Sequence, residues 1–143
     1  MKIMNDALSC RTIGVVRSPF KEKGDAPSQG RHTDEISMIE IAPEYRDGLD
    51  GIAAGDDLFI LCWFDRSDRT ILKTRKRGEN EGPLRGVFST RSPARPNPIA
   101  LTLVKLVEIS GGTLRVRGLE ALDGTPVIDI KPYSAGIDTP RES

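Results

Sequence analysis

The segment "RGVFSTRSPARPNPI" combines cationic and polar side chains with three prolines, just before a strongly apolar run. Proline fixes its own φ and pushes the preceding residue into an extended conformation, so the positions of Arg91, Arg95 and Asn97 are partly set in advance. A guanidinium held in this way binds a carboxylate or a phosphate at a lower entropic cost. The segment therefore predicts a preorganised anion-binding loop; the alternative is a proline-stiffened turn without a ligand.

A second segment, "LDGTPVIDIKPY", joins an Asp-Gly turn to a short alternating strand. The alternation predicts that Asp129 lies on the face opposite Ile128 and Ile130. If that face points inward, the carboxylate is buried and needs a counter-charge, for which Arg91 and Lys131 are the candidates. If it points outward, Asp129 is a solvated residue on an edge strand, and the residues alone leave both possibilities open.

Several kinds of catalytic centre are disfavoured by the residues present. The only histidine, His32, lies in a polar loop, and no G-x-S-x-G elbow accompanies it, which argues against a nucleophilic triad. Cys10 and Cys62 are far apart, and Cys62 lies in an apolar segment, so neither a disulfide nor a zinc site is expected. The glycine patterns of P-loops and Rossmann folds are missing. We therefore expect no metal, and no nucleotide bound through these motifs.

Charge is spread unevenly along a chain whose formal net charge is zero. From Arg66 to Arg95 there are nine basic and three acidic residues, which gives this stretch a net charge of +6. Such a stretch suits a polyanion such as RNA, because lysine and arginine side chains on phosphates release counterions. A solvated loop whose basic residues pair with acids elsewhere is the alternative, and charge alone slightly favours it.

Length and composition are those of a single soluble domain. The chain has 143 residues, of which 37% are hydrophobic and 29% charged, and no apolar run approaches the roughly 20 residues of a membrane span. The N-terminal sequence "MKIMNDALSC" places Asn5 and Asp6 where a secretory signal would be apolar. We expect a cytoplasmic protein that does not bind a membrane.

Turn residues and short apolar runs predict a β-rich fold. The chain contains 14 glycines and 10 prolines, and few of its segments have helical periodicity. Seven strands are predicted, at Thr12–Ser18, Glu35–Ile41, Asp57–Phe64, Gly86–Thr90, Ala100–Ile109, Thr113–Leu119 and Pro126–Pro132. Ser110–Gly112 predicts a hairpin turn and Ala42–Ile52 a short helix. Two long loops remain, Lys21–Asp34 and Arg66–Arg85, and this pattern favours a barrel or a sandwich.

Four segments together resemble the TsaA/TrmO family of S-adenosylmethionine-dependent methyltransferases. They are "IGVVRSPF", "DAPSQGR", "GVFSTRSPARPNPI" and "LDGTPVIDIKPY", in the family's order. The resemblance implies a mainly β fold, a single small β-barrel with long loops and one or two short helices, over residues 13–138. Residues 1–12 are then an N-terminal extension and residues 139–143 a C-terminal tail. The family is usually homodimeric, and its best-known members methylate N6 of threonylcarbamoyladenosine beside the tRNA anticodon.

The resemblance also implies where S-adenosyl-L-methionine and RNA would bind. The positions similar to the family's cofactor contacts are Ala26, Pro27, Ser28, Gln29, Asp65, Arg66, Arg91, Leu101, Asp123, Gly124, Thr125 and Pro126. Within the basic stretch, the residues assigned to RNA are Lys73, Arg75, Lys76, Arg77 and Arg95. Arg91 suits the carboxylate of the cofactor, and a carboxylate or carbonyl suits its sulfonium. With this resemblance, we rank RNA binding above a solvated loop.

Methyl transfer from a sulfonium is an in-line displacement that needs alignment of donor and acceptor more than acid catalysis. A sequence without a triad or a metal motif is compatible with that requirement. A urea-like N–H acceptor also needs a base, and the candidates are Asp129 and Asp65, with Asp123 as a third. The expected function is methylation of tRNA; the alternatives are methylation of a small molecule and non-enzymatic sensing of the cofactor.

Two departures from the family pattern bear on the acceptor. Many members have arginine at the position of Ser28, so one contact to an anion is missing here. The longer tRNA-modifying members continue well beyond "DIKPY", whereas this sequence ends ten residues after Tyr133. The resemblance therefore defines the acceptor less well than the cofactor.

Overall fold

A computed structural model of the protein describes residues 7–21, 34–75 and 82–142. The described strands are β1 (Gly14–Arg17), β2 (Ile36–Ile41), β3 (Asp57–Trp63), β4 (Lys73–Thr74), β5 (Arg85–Gly86), β6 (Ile99–Ser110), β7 (Thr113–Arg117) and β8 (Pro126–Pro132). Six of them close into one antiparallel barrel in the order β1-β2-β7-β6-β3-β8, while β4 and β5 form a separate two-stranded ribbon. The predicted mainly β fold with one small barrel is confirmed.

The interior of the barrel is filled by branched aliphatic side chains from every barrel strand. Strand side chains alternate between the two faces, and in β3 the residues at every second position from Leu58 are fully buried. The buried core consists of Val16, Ile39, Ile41, Leu58, Ile60, Cys62, Val104, Leu106, Leu114, Val116, Leu119, Ala121 and Val127. Because side chains occupy the barrel axis, a ligand must bind at a barrel end or on the outside.

The outside of the barrel differs from one side to the other. On β2 and β7, outward positions carry charged residues such as Glu40 and Arg115. On β3 and β6, which pair along the whole length of β3, the outward positions are mostly apolar: Phe59, Leu61, Trp63, Ile99, Leu101 and Leu103. A barrel strand that is apolar on both faces is unusual for an antiparallel sheet with one face in water.

The predicted hairpin between β6 and β7 is confirmed. Ser110 pairs with Thr113, and Gly111 has a φ of 59°. A side chain at Gly112 would collide with the guanidinium of Arg46, whose Nε donates a hydrogen bond to the carbonyl oxygen of Ile41 at 3.1 Å. The two glycines are therefore required for different reasons. Gly111 permits the backbone conformation of the turn, and Gly112 leaves room for the side chain of Arg46.

One sequence prediction is corrected by the structure. Gly86–Thr90 is not a barrel strand, because the chain turns into a single 3₁₀ turn at Val87–Ser89 directly after β5. The short helix predicted within Ala42–Ile52 is confirmed as a 3₁₀ helix, Pro43–Leu49. A short helix α1 (Ala135–Asp138) follows β8. Among the residues that the structure describes, no helix has the length and apolarity needed to span a membrane.

Candidate functional site

The antiparallel order brings most of the predicted cofactor residues to one end of the barrel, called here the rim. The strand ends that meet there are the C-terminal ends of β1 and β3 and the N-terminal ends of β6 and β8. Arg66 follows β3, Arg91 precedes β6, and the turn Asp123–Pro126 leads into β8. Strand pairing thus makes neighbours of residues that are far apart in sequence, and Ser18 and Asp123, 105 positions apart, are hydrogen-bonded at the rim.

Arg66 joins two of the predicted cofactor segments. Its Nη1 donates to the carbonyl oxygen of Lys21 at 3.3 Å, and its Nη2 donates to the carbonyl oxygen of Asp123. The planar guanidinium therefore crosses from the end of β3 to the turn before β8. Since Lys21 is the last described residue before segment 22–33, Arg66 also fixes the point from which that segment departs.

Asp123 is held in its ionised form at the centre of the rim. Its Oδ1 accepts a hydrogen bond from the backbone N–H of Ser18 at 3.0 Å, and its Oδ2 lies 3.2 Å from Nζ of Lys21. The hydrogen bond from Ser18, followed by that from Lys21, lowers the pKa of the Asp123 carboxyl below its ordinary value. This carboxylate is therefore a stable negative charge and a weak base.

The turn Asp123–Pro126 has a backbone that its sequence dictates. Gly124 has a φ of 85°, and its N–H donates to the carbonyl oxygen of Val16 at 2.7 Å. Thr125 is buried, and its Oγ1 donates to the carbonyl oxygen of Leu122 at 2.7 Å. The turn is closed from within and bonded to β1, so it presents a rigid edge to the rim.

The proline-containing loop is fastened by two arginines that bind backbone carbonyls. Nη2 of Arg95 donates to the carbonyl oxygens of Val87 and of Thr90, the latter at 2.8 Å. Nε of Arg69 donates to the carbonyl oxygen of Pro96 at 2.7 Å, and its guanidinium lies 5.0 Å from the centre of the Trp63 ring. Arg95 is half-buried and acts on its own loop.

Arg91 differs from both of these arginines. It is exposed, and its side chain has no hydrogen bond or ion pair with any other residue in the described ranges. It borders a cleft of about 270 Å³, with Phe64 and Leu101 among the lining residues. The cleft has both apolar and polar lining residues, Glu120 among the latter, and a guanidinium without a described partner at its border suits a ligand that has both a carboxylate and an apolar part.

A larger cleft of about 770 Å³ lies on the β1 side of the rim. Asp123 lines it, and so do Lys21 and Glu35, which flank segment 22–33 in the sequence. The predicted cofactor residues Ala26, Pro27, Ser28 and Gln29 lie outside the described residues, as do His32 and the predicted RNA contacts Lys76 and Arg77. The described part of the site therefore comprises two clefts, of which Phe64 lines the smaller and Asp123 the larger.

The two predicted catalytic carboxylates are both exposed to solvent. Asp65 directly follows Phe64 at the rim. Asp129 is on the outside of β8 with a side chain 51% exposed, so the possibility of a buried carboxylate is excluded. The cause is a register shift, since Leu61 pairs with Asp129 but Cys62 pairs with Val127, which breaks the alternation that the sequence suggested.

The neighbours of Asp129 also settle its counter-charge. Its Oδ1 accepts the N–H of Ile130 at 2.9 Å, and its Oδ2 lies 3.9 Å from Nζ of Lys131. Of the two partners considered from the sequence, Lys131 is therefore the observed one and Arg91 is not. Leu101 lies in the same row of the sheet, across Leu61, which places it about 10 Å from Asp129 at the usual strand spacing.

The predicted RNA-contacting residues lie in what we call the arm, residues 67–98, which leaves the barrel after β3 and returns before β6. Lys73 is exposed on β4, and Nε of Arg75 donates to the carbonyl oxygen of Gly82 at 2.9 Å. Arg95, which was also predicted to contact RNA, is half-buried in the arm and donates to the carbonyl oxygens of Val87 and Thr90.

Sequence reasoning missed Ser18, Arg69 and Trp63, although each of them positions the site. Ser18 lies in the quoted segment "IGVVRSPF", which was the one available indication of its role. The sequence contains no comparable indication for Arg69 and Trp63, because the stacking of these two side chains depends on how the arm folds back over β3. Within the described ranges, no group of three or more potential metal ligands is found.

Comparison with known proteins identifies relatives over nearly the whole chain. Residues 15–139 match the family described as the tRNA-methyltransferase O N-terminal domain. A probable S-adenosyl-L-methionine-binding protein of Methanothermobacter thermautotrophicus is 55% identical over 129 residues, which cover 90% of this chain and 92% of the relative. An S-adenosyl-L-methionine-binding protein of Archaeoglobus fulgidus is 52% identical over 128 residues, covering 90% and 91%.

Solved structures agree with these matches. The crystal structure of TrmO from Pseudomonas aeruginosa superposes with a TM-score of 0.77 at 30% identity and covers 96% of this chain. A second crystal structure of TrmO has a TM-score of 0.77 at 31% identity and covers 100% of this chain. This chain spans 60% and 62% of those two chains, respectively.

Proposed function

Because the chain belongs to the tRNA-methyltransferase O N-terminal domain family, we propose that it is an S-adenosyl-L-methionine-dependent methyltransferase whose acceptor is tRNA. The methylated atom is N6 of threonylcarbamoyladenosine next to the anticodon, and the compartment is the cytoplasm. The observation that carries the proposal is the assembly of Arg66, Arg91, Leu101 and the turn Asp123–Pro126 around one rim of the barrel.

The charges at the rim fit S-adenosyl-L-methionine. Arg91 offers a guanidinium without a described partner, which suits the carboxylate of that molecule. Asp123 offers a carboxylate kept ionised by Ser18 and Lys21, which suits a positively charged group. Apolar surface in the smaller cleft, beside Arg91, comes from Phe64 and Leu101. These residues would hold the cofactor across the rim.

When bound, S-adenosyl-L-methionine supplies a methyl group activated by a sulfonium. The residues of this chain align the donor and the acceptor and exclude water, which is the main requirement of an in-line displacement. Arg66 contributes by fixing the turn Asp123–Pro126 relative to the end of β3. Arg95 and Arg69 contribute by fixing the loop that presents Arg91.

Deprotonation of the acceptor N–H falls to Asp65 rather than to Asp129. Asp65 lies at the rim, between Phe64 in the smaller cleft and Arg66, whereas Asp129 lies on the outer face of β8 beside Lys131. Asp123 is unsuited, because its lowered pKa makes it a weak base. Asp65→Asn should therefore lower kcat at saturating cofactor, and Asp129→Asn is the matched control with kcat retained.

The active form is a homodimer that covers the apolar outer face of β3 and β6. That face carries Phe59, Leu61 and Leu103 without a charged residue among them, and Leu101 is 45% exposed. An apolar patch of this kind would be covered if it met the same patch of a second copy across a twofold axis. Since Leu101 belongs both to this face and to the smaller cleft, the partner copy would lie next to the bound cofactor.

A second candidate function is binding of S-adenosyl-L-methionine without catalysis. The names of the Methanothermobacter and Archaeoglobus relatives, which are covered over more than nine-tenths of their length, refer to binding alone. Methylation of a small molecule is the third candidate and shares the same cofactor site.

One experiment separates these candidates. The protein is incubated with methyl-labelled S-adenosyl-L-methionine and tRNA, either containing or lacking the threonylcarbamoyl modification, and the nucleosides are analysed by mass spectrometry. Methylated threonylcarbamoyladenosine is expected only from modified tRNA, and in smaller amounts from the Arg91→Ala variant when the cofactor is below saturation. Calorimetric cofactor binding without any labelled nucleoside would reject the methyltransferase in favour of a binding protein, and labelled product without tRNA would indicate a small acceptor.

A further inference from the structure

Phe88 is the most exposed aromatic residue in the described part of the chain. Its side chain is 85% exposed, whereas Tyr133, the next most exposed, packs edge-to-face against Phe59 at 5.8 Å between ring centres. A phenylalanine ring in water forgoes a large favourable burial energy. An exposed ring of this kind therefore points to a partner outside the chain.

The turn that carries Phe88 is held in place from several sides. The backbone N–H and Oγ1 of Thr90 both donate to the carbonyl oxygen of Val87, at 3.0 and 2.9 Å. Oγ of Ser89 donates to the carbonyl oxygen of Gly86 at 2.7 Å, and Val87 itself is buried. The exposed ring thus stands on a fixed base, which lowers the entropic cost of binding a ligand to it.

Two basic residues without acidic partners lie on the ribbon strands that lead into the turn of Phe88. Lys73 is paired through its backbone with Gly86, and Arg85 precedes that glycine. Neither the Lys73 nor the Arg85 side chain has a hydrogen bond or an ion pair with another residue of the described ranges. From Arg66 to Arg95 the described residues include seven basic and one acidic residue, so they alone carry the net charge of +6.

The combination of an exposed ring and unpaired cations matches unpaired RNA better than other partners. Single-stranded nucleic acid offers a base to stack on the ring and phosphates to neutralise the cations. A second copy of the chain would bring an arm of the same sign against this one. A purely apolar partner would remove the cations from water without compensation.

We infer that Phe88 is a stacking platform for an unpaired base of the RNA acceptor, with Lys73 and Arg85 on the adjacent phosphates. The inference rests on the proposed function, because the RNA concerned is the acceptor that the rim would methylate. It adds a selection for single-stranded loops over duplex RNA, since a paired base is not free to leave its stack for the ring.

Fluorescence anisotropy with a labelled RNA hairpin that has a single-stranded loop, and with a duplex of the same length, tests this inference. Phe88→Leu keeps apolar volume but removes the aromatic face, and it should weaken hairpin binding by about tenfold or more. Phe88→Tyr should bind the hairpin as the wild-type protein does, and neither variant should alter duplex binding. Because the ring is exposed, both variants should keep the wild-type Tm and cofactor affinity.

The cations are tested through the salt dependence of hairpin binding. Lys73→Gln and Arg85→Gln should each reduce the slope of log K against log salt by about 1. Lys105→Gln is the matched control, because Nζ of Lys105 lies 2.7 Å from Oδ1 of Asp57 at the opposite end of the barrel, and it should leave the slope unchanged.

Three results would overturn the stacking role of Phe88, and only the third would also reject tRNA as the acceptor. Wild-type binding by Phe88→Leu, with weaker binding by Lys73→Gln and Arg85→Gln, would leave tRNA as the partner but remove the stacking role. A changed sedimentation coefficient of Phe88→Leu with unchanged RNA affinity would show that a second copy covers the ring. No hairpin binding by the wild-type protein would reject the tRNA proposal together with the inference.

Discussion

Two arginines of the same loop should respond in opposite ways to truncation. Arg91 is exposed and has no partner within the described ranges, whereas Arg95 is half-buried and bonded to the carbonyl oxygens of Val87 and Thr90. If Arg91 binds the cofactor and Arg95 supports the loop, Arg91→Ala should lower affinity at constant stability. Arg95→Ala should lower stability, and its affinity should fall as a consequence of loop disorder.

The expected magnitudes follow from the contacts. A charge-assisted hydrogen bond contributes about 1.5 to 3 kcal/mol, so loss of the Arg91 contact should raise the Kd for S-adenosyl-L-methionine about tenfold to a hundredfold. Arg91→Ala removes no described contact and should change the free energy of unfolding by less than about 0.5 kcal/mol. Arg95→Ala breaks two bonds at about 1 to 2 kcal/mol each, which corresponds to a fall in Tm of roughly 5 to 15 °C.

Isothermal titration calorimetry and thermal melting of both variants provide the measurements. Conservative variants sharpen the comparison, because Arg95→Lys keeps the charge but cannot reproduce the forked donor geometry and should lose much of the stability. The reasoning is refuted if Arg91→Ala unfolds the domain, or if it binds the cofactor with unchanged affinity. In either case the proline-containing loop would be a structural element, and the cofactor carboxylate would bind elsewhere.

Three further predictions concern thiols, pH and assembly. Burial raises the pKa of the Cys62 thiol to about 12, so Ellman's reagent should titrate only the exposed Cys10 in the folded protein and both thiols in guanidinium. The lowered pKa of Asp123 stabilises the folded state above the unfolded value of about 3.9, and this stabilisation is lost as pH falls through the folded pKa. Asp123→Asn should therefore be less stable than wild type in urea at pH 7 and equally stable once the pH is below the folded pKa. Leu103→Glu should shift the sedimenting species towards the monomer if the apolar face is the interface, and an unchanged dimer would exclude that face.

The barrel was predictable because its strands carry their own periodicity. Runs such as Asp57–Phe64 and Pro126–Pro132 contain enough apolar residues to indicate a strand, and the Gly-Gly turn fixes the hairpin between β6 and β7. The order of the strands in the barrel could not be predicted from the sequence, since it depends on which strands pair to close the barrel. The convergence at the rim followed from the family resemblance and not from periodicity.

In two segments, bonds made by distant residues decide what the local sequence pattern could not. "GVFST" alternates like a strand, but Arg95 and Thr90 capture the carbonyl oxygen of Val87 and bend the chain into a turn. "VIDIK" also alternates, but the register shift beside Leu61 turns Asp129 outward. In both places local alternation is overruled by a contact that no short window of sequence contains.

The arginines near the rim divide into two groups by what their guanidinium groups contact, and this division locates function more sharply than charge does. Arg66, Arg69 and Arg95 donate to backbone carbonyls, which fixes the rim while leaving its positive charge without a carboxylate partner among the described residues. Arg85 and Arg91 have no described side-chain partner at all. Hydrogen bonds from these arginines to backbone carbonyls thus make the rim rigid and leave the positive charge of the arginines uncompensated. Ion pairs with carboxylates would also make the rim rigid, but they would neutralise that charge. An anionic cofactor group and an RNA backbone, the ligands proposed above, would both benefit from the same arrangement.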